Sequence, residues 1–474
     1  NLSGVTLTGT DSNNYTVSGV AGVSANITAK SLTTTLTGTA SKEYDANTTA
    51  TLSGSNYSVA TGISGETISV TKTTGTYNNK NVGTSKTITA NLASGDYSIS
   101  GTDALLSNYT LTTGDITGGI GTITAKTVGL SASKTYDGST SLTDYVTLTT
   151  GITGEALTYT GATSNNSHVA TASKYISAIT LADGTGGLAS NYQLPTLNNS
   201  NAPVTITAKT LTPTITNTGV TKEYDGTTSS SITPTYSFSG LVSGDTDATL
   251  TNTSKTYNSK DVASANTVTV SGLSISGITG NKSSATTDYT LDSTSKTKAA
   301  TITAKSLTQS GLSVPTSKTY DGTTTATVNG TSALQASETA GTGTTSDGKP
   351  YTGDTVSITG TAVGTYNDAH VASASSVSFS GLSLTGAQSG NYSLTSYSPA
   401  SATITAATLT PTISNSSVTK VYDGTTTSTF TPTYTFSGLV SGDTDATLNY
   451  TSRTYNSKDV ASANTVTVSG LSIS

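Results

Sequence analysis

The side chains of this 474-residue chain that could do chemistry are few and poorly placed for it. Cysteine is absent, and the two histidines are His168 and His370. They occupy matching places, Asn166-Ser167-His168-Val169-Ala170 and Asp368-Ala369-His370-Val371-Ala372, where sister segments carry Asn81, Asp261 and Asp459. A position that takes His, Asn or Asp reads as an exposed turn. It offers no base for serine or cysteine hydrolysis, and two histidines that far apart cannot share a metal within one chain. Asp245-Thr-Asp247 and Asp443-Thr-Asp445 each put two carboxylates on one loop. Calcium takes about six to eight oxygens, so Asp245, Asp247, Asp443 and Asp445 are weak calcium candidates, with solvated loop charge as the simpler reading. Glycine-rich stretches at 184–187 and 341–343 lack the lysine and helix of a phosphate loop. These readings predict no enzyme and no cofactor beyond that calcium.

One pattern dominates instead. Lys-x-Tyr-Asp-Gly-Thr-Thr, with variations, stands around Tyr44-Asp45, Tyr136-Asp137, Tyr224-Asp225, Tyr320-Asp321 and Tyr422-Asp423, and the aspartates are 92, 88, 96 and 102 residues apart. A period of that length is one small domain. Ile-Thr-Ala-Lys closes each unit at Lys30, Lys126, Lys209 and Lys305, with Ala407 in the lysine's place in the last. Asn-Tyr or Asp-Tyr precedes it at Tyr15, Tyr109, Tyr192, Tyr289 and Tyr392. The divisions read from these marks are 1–29 (the end of a repeat), 30–125, 126–208 (short), 209–304, 305–406 (with an insertion) and 407–474 (the start of a repeat). Residues 211–276 and 409–474 differ at only eleven positions, as a copied two-repeat block would. The sequence reads as a segment of a longer protein.

The elements that must carry these marks are strands. In Thr267-Val268-Thr269-Val270-Ser271 the apolar side chains alternate with hydroxyls. The phase then flips at Gly272, again at Gly381 and again at Gly470, which predicts a bulge or a change of strand at each glycine. In the motif, Lys and Tyr share one face, Asp starts a turn and Gly supplies positive φ. Ala46 in the glycine's place suggests that this positive φ is not absolute. About seven short strands per unit predict an all-β chain of tandem, immunoglobulin-like β-sandwich repeats forming an elongated rod. The motif tyrosines read as core plugs with bonded hydroxyls, and the motif lysine as a stem snorkelling over apolar surface. A Lys–Asn cross-link between Lys222 or Lys318 and a residue such as Asn391 is a weaker alternative.

Composition agrees with a long wet β structure. Charged residues make up 10% and the net charge is −6, so nucleic acid and anionic membrane surfaces are poor partners. Thr and Ser hold extended backbone while keeping the outer face hydrated. The insertion at 335–354, with Glu338, Asp347, Lys349, Pro350 and Tyr351, is the best place for a binding loop.

Together the Lys-x-Tyr-Asp-Gly-Thr-Thr motif, Tyr-Asn-x-Lys-Asp/Asn-Val (from Tyr77, Tyr257 and Tyr455), Val-Ser-Gly-Leu and Asn-Tyr-x-Leu make this chain resemble the YDG-type repeat region of large secreted bacterial adhesins. Many of those are similar to filamentous haemagglutinins exported by two-partner secretion. The resemblance implies a non-enzymatic stalk or spacer at the bacterial surface or outside the cell, in adhesion or biofilm matrix. Its expected partners are neighbouring repeats of the same chain. Like chains in a homopolymeric filament are one alternative. The other is a module binding surface or matrix glycans through tyrosines such as Tyr57, Tyr351 or Tyr434. No membrane insertion by this segment is implied.

Overall fold

Alternating Thr/Ser and Val/Ile/Leu segments, broken every few residues by Gly, Asn or Asp, can only make short strands, and short strands are what form. The computed structural model describes residues 4–18, 22–444 and 446–474. Among the described residues the chain is all-β: many small sheets joined by turns and three-residue 3-10 turns, with no α-helix. It divides into two compact units. One comprises Asn1–Thr212, Ser239–Thr249 and Ile275–Asp292; the other comprises Pro213–Phe238, Leu250–Ser274 and Ser293–Ser474.

In the first unit, residues 30–125 build a five-stranded sheet in the order Ala40–Glu43, Gly114–Thr124, Gly83–Leu92, Thr74–Tyr77, Thr49–Thr51. Its inward side chains Ala50, Ile88, Ala90, Leu92 and Ile123 are buried. In the second unit, residues 305–406 build a four-stranded sheet of Thr325–Ala326, Ser357–Tyr366, Ser376–Thr385 and Ala400–Ser401. Tyr366, Val377, Ala402 and Ile404 form its buried cluster.

Two parallel pairings recur. The motif lysine lies opposite the isoleucine of Ile-Thr-Ala: Lys42 opposite Ile123, Lys134 opposite Ile206, Lys222 opposite Ile302, Lys318 opposite Ile404. The lysine that ends Ile-Thr-Ala-Lys lies opposite the next Asn/Asp-Tyr tyrosine: Lys30 opposite Tyr109, Lys126 opposite Tyr192, Lys209 opposite Tyr289, Lys305 opposite Tyr392. One alanine, Ala125, Ala208 or Ala304, separates the strand that closes a repeat from the strand that opens the next.

The phase flips resolve in two ways. At Gly381 (φ +83°) the strand Ser376–Thr385 runs on past a register shift in its hairpin, a bulge. At Gly272 (φ +67°) one strand stops and Ser274–Gly280 begins, and Gly470 (φ +68°) does the same before Ser472–Ile473. Val268, Val270 and Leu273 all end up buried, as an inserted residue requires.

The motif turn is tied by its lysine. Lys222 Nζ donates to Asp225 Oδ1 (2.6 Å), the Thr227 carbonyl (2.7 Å) and the Ser229 carbonyl (2.9 Å). Lys134, Lys318 and Lys420 make the same three kinds of bond, and Lys42 holds Asp45 and the Asn47 carbonyl. The motif lysine is thus a clamp with all three donors spent, in place of the expected snorkelling stem. The Asp carboxylate also accepts a backbone N–H two residues on, from Thr227, Thr323 or Thr425. The hydrogen bonds from Lys318 and the Thr323 N–H hold Asp321 down at about 2, and those from Lys420 and Thr425 do the same for Asp423.

After the Asp, the backbone is left-handed in all five turns: φ is +75°, +74°, +73° and +78° at Gly138, Gly226, Gly322 and Gly424, and +65° at Ala46. The positive φ is therefore retained where the sequence suggested that it could relax. A Cβ in that region is strained by about 1 kcal/mol, so Ala46→Gly should stabilise the repeat 30–125 by roughly that amount. Urea unfolding would show an upward midpoint shift; an unchanged or lower midpoint would mean the turn carries no such strain.

Candidate functional site

Every repeat contains an acid directly after a left-handed glycine: Ser64-Gly65-Glu66, Thr153-Gly154-Glu155, Ser243-Gly244-Asp245, Thr352-Gly353-Asp354 and Ser441-Gly442-Asp443. The glycine φ values are +87°, +85°, +103°, +94° and +105°. This kink aims the carboxylate at the hydroxyl of the repeat's own Asn/Asp-Tyr tyrosine. Tyr192 donates to Glu155 (2.7 Å), Tyr289 to Asp245 (2.6 Å), Tyr392 to Asp354 (2.6 Å), and Tyr109 to Glu66. The Tyr289 and Tyr392 hydroxyls also accept the Val242 and Tyr351 N–H groups, at 3.0 and 2.9 Å. A hydroxyl that already accepts a backbone proton is oriented to donate its own, so the carboxylate is the natural acceptor.

The tyrosine of the preceding repeat's motif enters this same place. At the first joint, within the first unit, Tyr44 donates to Glu155 Oε1 (2.8 Å), Lys80 donates to the same oxygen (2.6 Å), and the Tyr44 and Tyr192 rings meet edge to face at 5.4 Å. At the second joint, also within the first unit, the Tyr136 hydroxyl meets Ser284 Oγ (2.6 Å), which donates to Asp245 Oδ2 (2.6 Å); Tyr136 and Tyr289 are edge to face at 5.6 Å. At the third joint, within the second unit, Tyr224 donates to Asp354 Oδ2 (2.8 Å), Lys260 reaches the Tyr224 hydroxyl (3.1 Å), and Tyr224 and Tyr392 meet at 5.2 Å. Edge-to-face pairs of this kind add about 0.5–1.5 kcal/mol to the burial of the rings.

Burial follows the neighbour. Tyr44, Tyr136 and Tyr224 are at most 1% exposed. Tyr320, opposite Asp443 at 3.4 Å, is half-buried, and Tyr422 is 57% exposed. Tyr44, Tyr136 and Tyr224 are buried plugs with bonded hydroxyls, but the cavity each one fills belongs to the following repeat.

The electrostatics are those of a clasp. Burial raises Glu155, but the hydrogen bonds from Lys80, Tyr192 and Tyr44 outweigh it and hold the carboxyl below its ordinary range. Burial and the hydrogen bond to Glu155 push Tyr44 and Tyr192 up. Burial, with Asp354 beside it, pushes Tyr224 up to about 12 and raises Tyr392 further. Burial disfavours charge on Lys260, yet its bonds to Tyr224 and Asp261 win and raise it. At the first and third joints the carboxylate accepts from both tyrosines and lies beside a lysine, and the tyrosine hydroxyls are held in the neutral form.

The second joint departs from this pattern. Ser167 stands where Lys80 and Lys260 stand in the other two, and Asp245 Oδ1 is buried without a hydrogen-bond partner. A buried unpaired carboxylate oxygen costs about 1–3 kcal/mol. Ser167→Lys should therefore stabilise the second joint by about 1 kcal/mol, less than that full cost because the lysine must be ordered. Thermal unfolding of the variant checks this; a lower midpoint would show that no cation fits there.

Asp137 and Asp225, like Asp45, Asp321 and Asp423, belong to the lysine-clamped turns. Asp245 and Asp443 are joint acids, Asp247 accepts the Ala248 N–H (2.8 Å), and Asp445 lies outside the described residues. Among the described residues no group of three or more His, Asp or Glu side chains is arranged to hold a metal. His370 is exposed and bonds Asp368 (2.7 Å), whereas His168 is drawn into the second joint. Lys222 and Lys318 bond Asp225 and Asp321 (2.6 Å each), and Asn391 bonds Asp261 (2.7 Å) and Val262 (2.8 Å), so the structure does not bring either lysine to Asn391. Tyr57 and Tyr351 are buried and cannot serve as glycan platforms.

The insertion at 335–354 walls the third joint. Lys305, fully buried, bonds Glu338 (2.7 Å) and Asp347 (3.0 Å) and lies over the Tyr351 ring (4.1 Å). Tyr351 packs against Tyr224 at 5.8 Å, and the Gly341 N–H reaches the Asp225 carbonyl (2.8 Å). The glycine-acid signal that places the joint was present in the sequence in all five repeats, overshadowed by the Asp-x-Asp spacing of two of them.

Short-stranded repeats, joined at three places by a tyrosine of one and an acid of the next, define a repeat β protein. The family model of the YDG domain matches residues 28–117, 207–297, 303–402 and 405–474. The chain belongs to that family. Residues 118–206, with Ser164 and Ser167 in place of the second Tyr and Lys, lie outside the matched ranges. No curated protein matches the chain.

Proposed function

We propose that this chain is a non-enzymatic stalk segment of a secreted or surface-anchored bacterial adhesin, acting by reach in adhesion or biofilm matrix. The observation that carries this reading is the clasp. A side chain of one repeat completes the interior of the next, at three joints, with one alanine between the connected strands. Such joints resist bending, and resistance to bending is what a spacer needs. The finer architecture in this proposal is a two-sheet, immunoglobulin-like sandwich per repeat, threaded into a rod. At about 40 Å per repeat, five repeats extend about 200 Å. A globule of this length would have a radius of gyration of about 23 Å. Small-angle scattering should give a value at least twice that, of order 50–60 Å; a value near the globular one would end the stalk reading. The homopolymeric filament is the outcome in which scattering mass per length rises with concentration.

A further inference from the structure

A second pair of side chains meets beside each tyrosine clasp, and its chemistry changes from joint to joint in a matched way. The residue before the Asn/Asp-Tyr tyrosine is Asn191, Asp288 or Asn391, and all three are at most 4% exposed. In each case its Oδ1 accepts a backbone N–H from the preceding repeat: Val82 (2.9 Å), Val169 (2.7 Å) and Val262 (2.8 Å). This constant bond fixes the side chain's position. The other terminal atom then faces the residue just before that valine. At the first joint Asn191 Nδ2 donates to Asn81 Oδ1 (3.1 Å), and at the third Asn391 Nδ2 donates to Asp261 Oδ1 (2.7 Å). At the second joint the buried residue is Asp288, whose Oδ2 can only accept. The facing residue there is His168, with Nδ1 at 2.7 Å. Since a carboxylate has no proton to give, Nδ1 is the donor.

We propose that this pair is a matching code that decides which repeat can follow which. A repeat presenting Asn or Asp before its valine accepts a follower with Asn before its tyrosine. A repeat presenting His, or an Asn turned so that its Nδ2 donates, accepts a follower with Asp. The forbidden combination is Asp facing Asp, two carboxylates forced together where one of them is buried. By this code the surface at His370 fits a repeat carrying Asp, the surface at Asp459 fits one carrying Asn, and Asn108 fits a repeat presenting Asn or Asp. The position that reads as an indifferent turn in the sequence is then the specificity-determining one, and its variation among His, Asn and Asp is complementarity. The inference stands on the joint geometry and does not depend on the adhesin reading.

The test is a substitution cycle in the full chain, read by hydrogen exchange at the valine N–H. His168→Asp places a carboxylate against Asp288 and should reduce protection of Val169 at least tenfold. In the Asp288→Asn background the same His168→Asp change recreates the pair seen at Asp261 and Asn391, and should leave protection unchanged or improve it. The cycle removes the purely local cost of Asp288→Asn, which loses the bond from the Ala285 N–H. A mirror pair guards against a variant that fails to fold: Asn391→Asp should reduce Val262 protection at least tenfold, and adding Asp261→Asn should restore it to within threefold. Val82, in the untouched first joint, reports that the chain is folded. Equal losses from His168→Asp in both backgrounds, or no loss in the parent chain, would overturn the code.

Discussion

Tyr224→Ala is expected to destabilise the second unit by about 3–5 kcal/mol, the range for deleting a fully buried aromatic side chain. The ring packs against Tyr392 and Tyr351, and its hydroxyl serves both Asp354 and Lys260. Removing it leaves a cavity and takes one donor from Asp354. Tyr224→Phe separates these effects: it keeps the packing and should cost only about 1–2 kcal/mol for the lost hydroxyl. Tyr422 supplies the control within the same chain. It belongs to the same motif but is 57% exposed, so Tyr422→Ala should change stability by less than about 0.5 kcal/mol. Equilibrium unfolding of the three variants checks the series. Similar losses for Tyr224→Ala and Tyr422→Ala would show that the motif tyrosine serves its own turn and not the joint.

Acid should open the first joint. Glu155 is held below the ordinary carboxyl range, despite burial, by Lys80, Tyr192 and Tyr44. Its folded pKa is lower than its unfolded one, so it contributes stability that is present above about pH 4.3 and is lost as pH falls through the folded value. The turns at Asp321 and Asp423 have the same sign: their carboxyls are held at about 2, so what they contribute is lost as pH falls towards that value. Glu155→Gln removes the charge at all pH values. It leaves Lys80 without its counter-ion and should cost about 1–3 kcal/mol at neutral pH. It should also flatten the part of the acid dependence that belongs to Glu155. Stability against pH for parent and variant gives the answer; parallel curves would mean that Glu155 carries no linked proton.

The alkaline side has the opposite sign. Tyr224 is raised to about 12 by burial beside Asp354. Its neutral form is favoured by the fold, so the stability it adds is complete below about pH 10 and is lost as pH rises towards 12.

The sequence was most legible where the chain repeats itself. The period, the short strands, the phase flips at Gly272 and Gly381 and the turn around Asp225 could all be read from local spacing, because alternation and turn chemistry act over a few residues. The joints could not be read that way. Tyr44 and Glu155 are 111 residues apart, and Lys42 pairs with Ile123 across the whole repeat. Nothing local distinguishes a tyrosine that plugs its own core from one that plugs its neighbour's. Asp245 and Asp247 look like paired ligands in sequence, yet the first turns into the joint and the second caps its own backbone. Lys222 looks like any amphipathic stem until its three acceptors are seen around one turn.

The central claim is that the motif tyrosine of one repeat is a structural part of the next. Hydrogen exchange on Tyr44→Ala tests it most directly. Protection is expected to fall in 126–208, at the Lys126–Thr127 and Tyr192–Gln193 pairing, while the pairing of Thr67–Val70 with Tyr97–Ser100 in the tyrosine's own repeat stays protected. Loss confined to 30–125, with 126–208 unchanged, would contradict it.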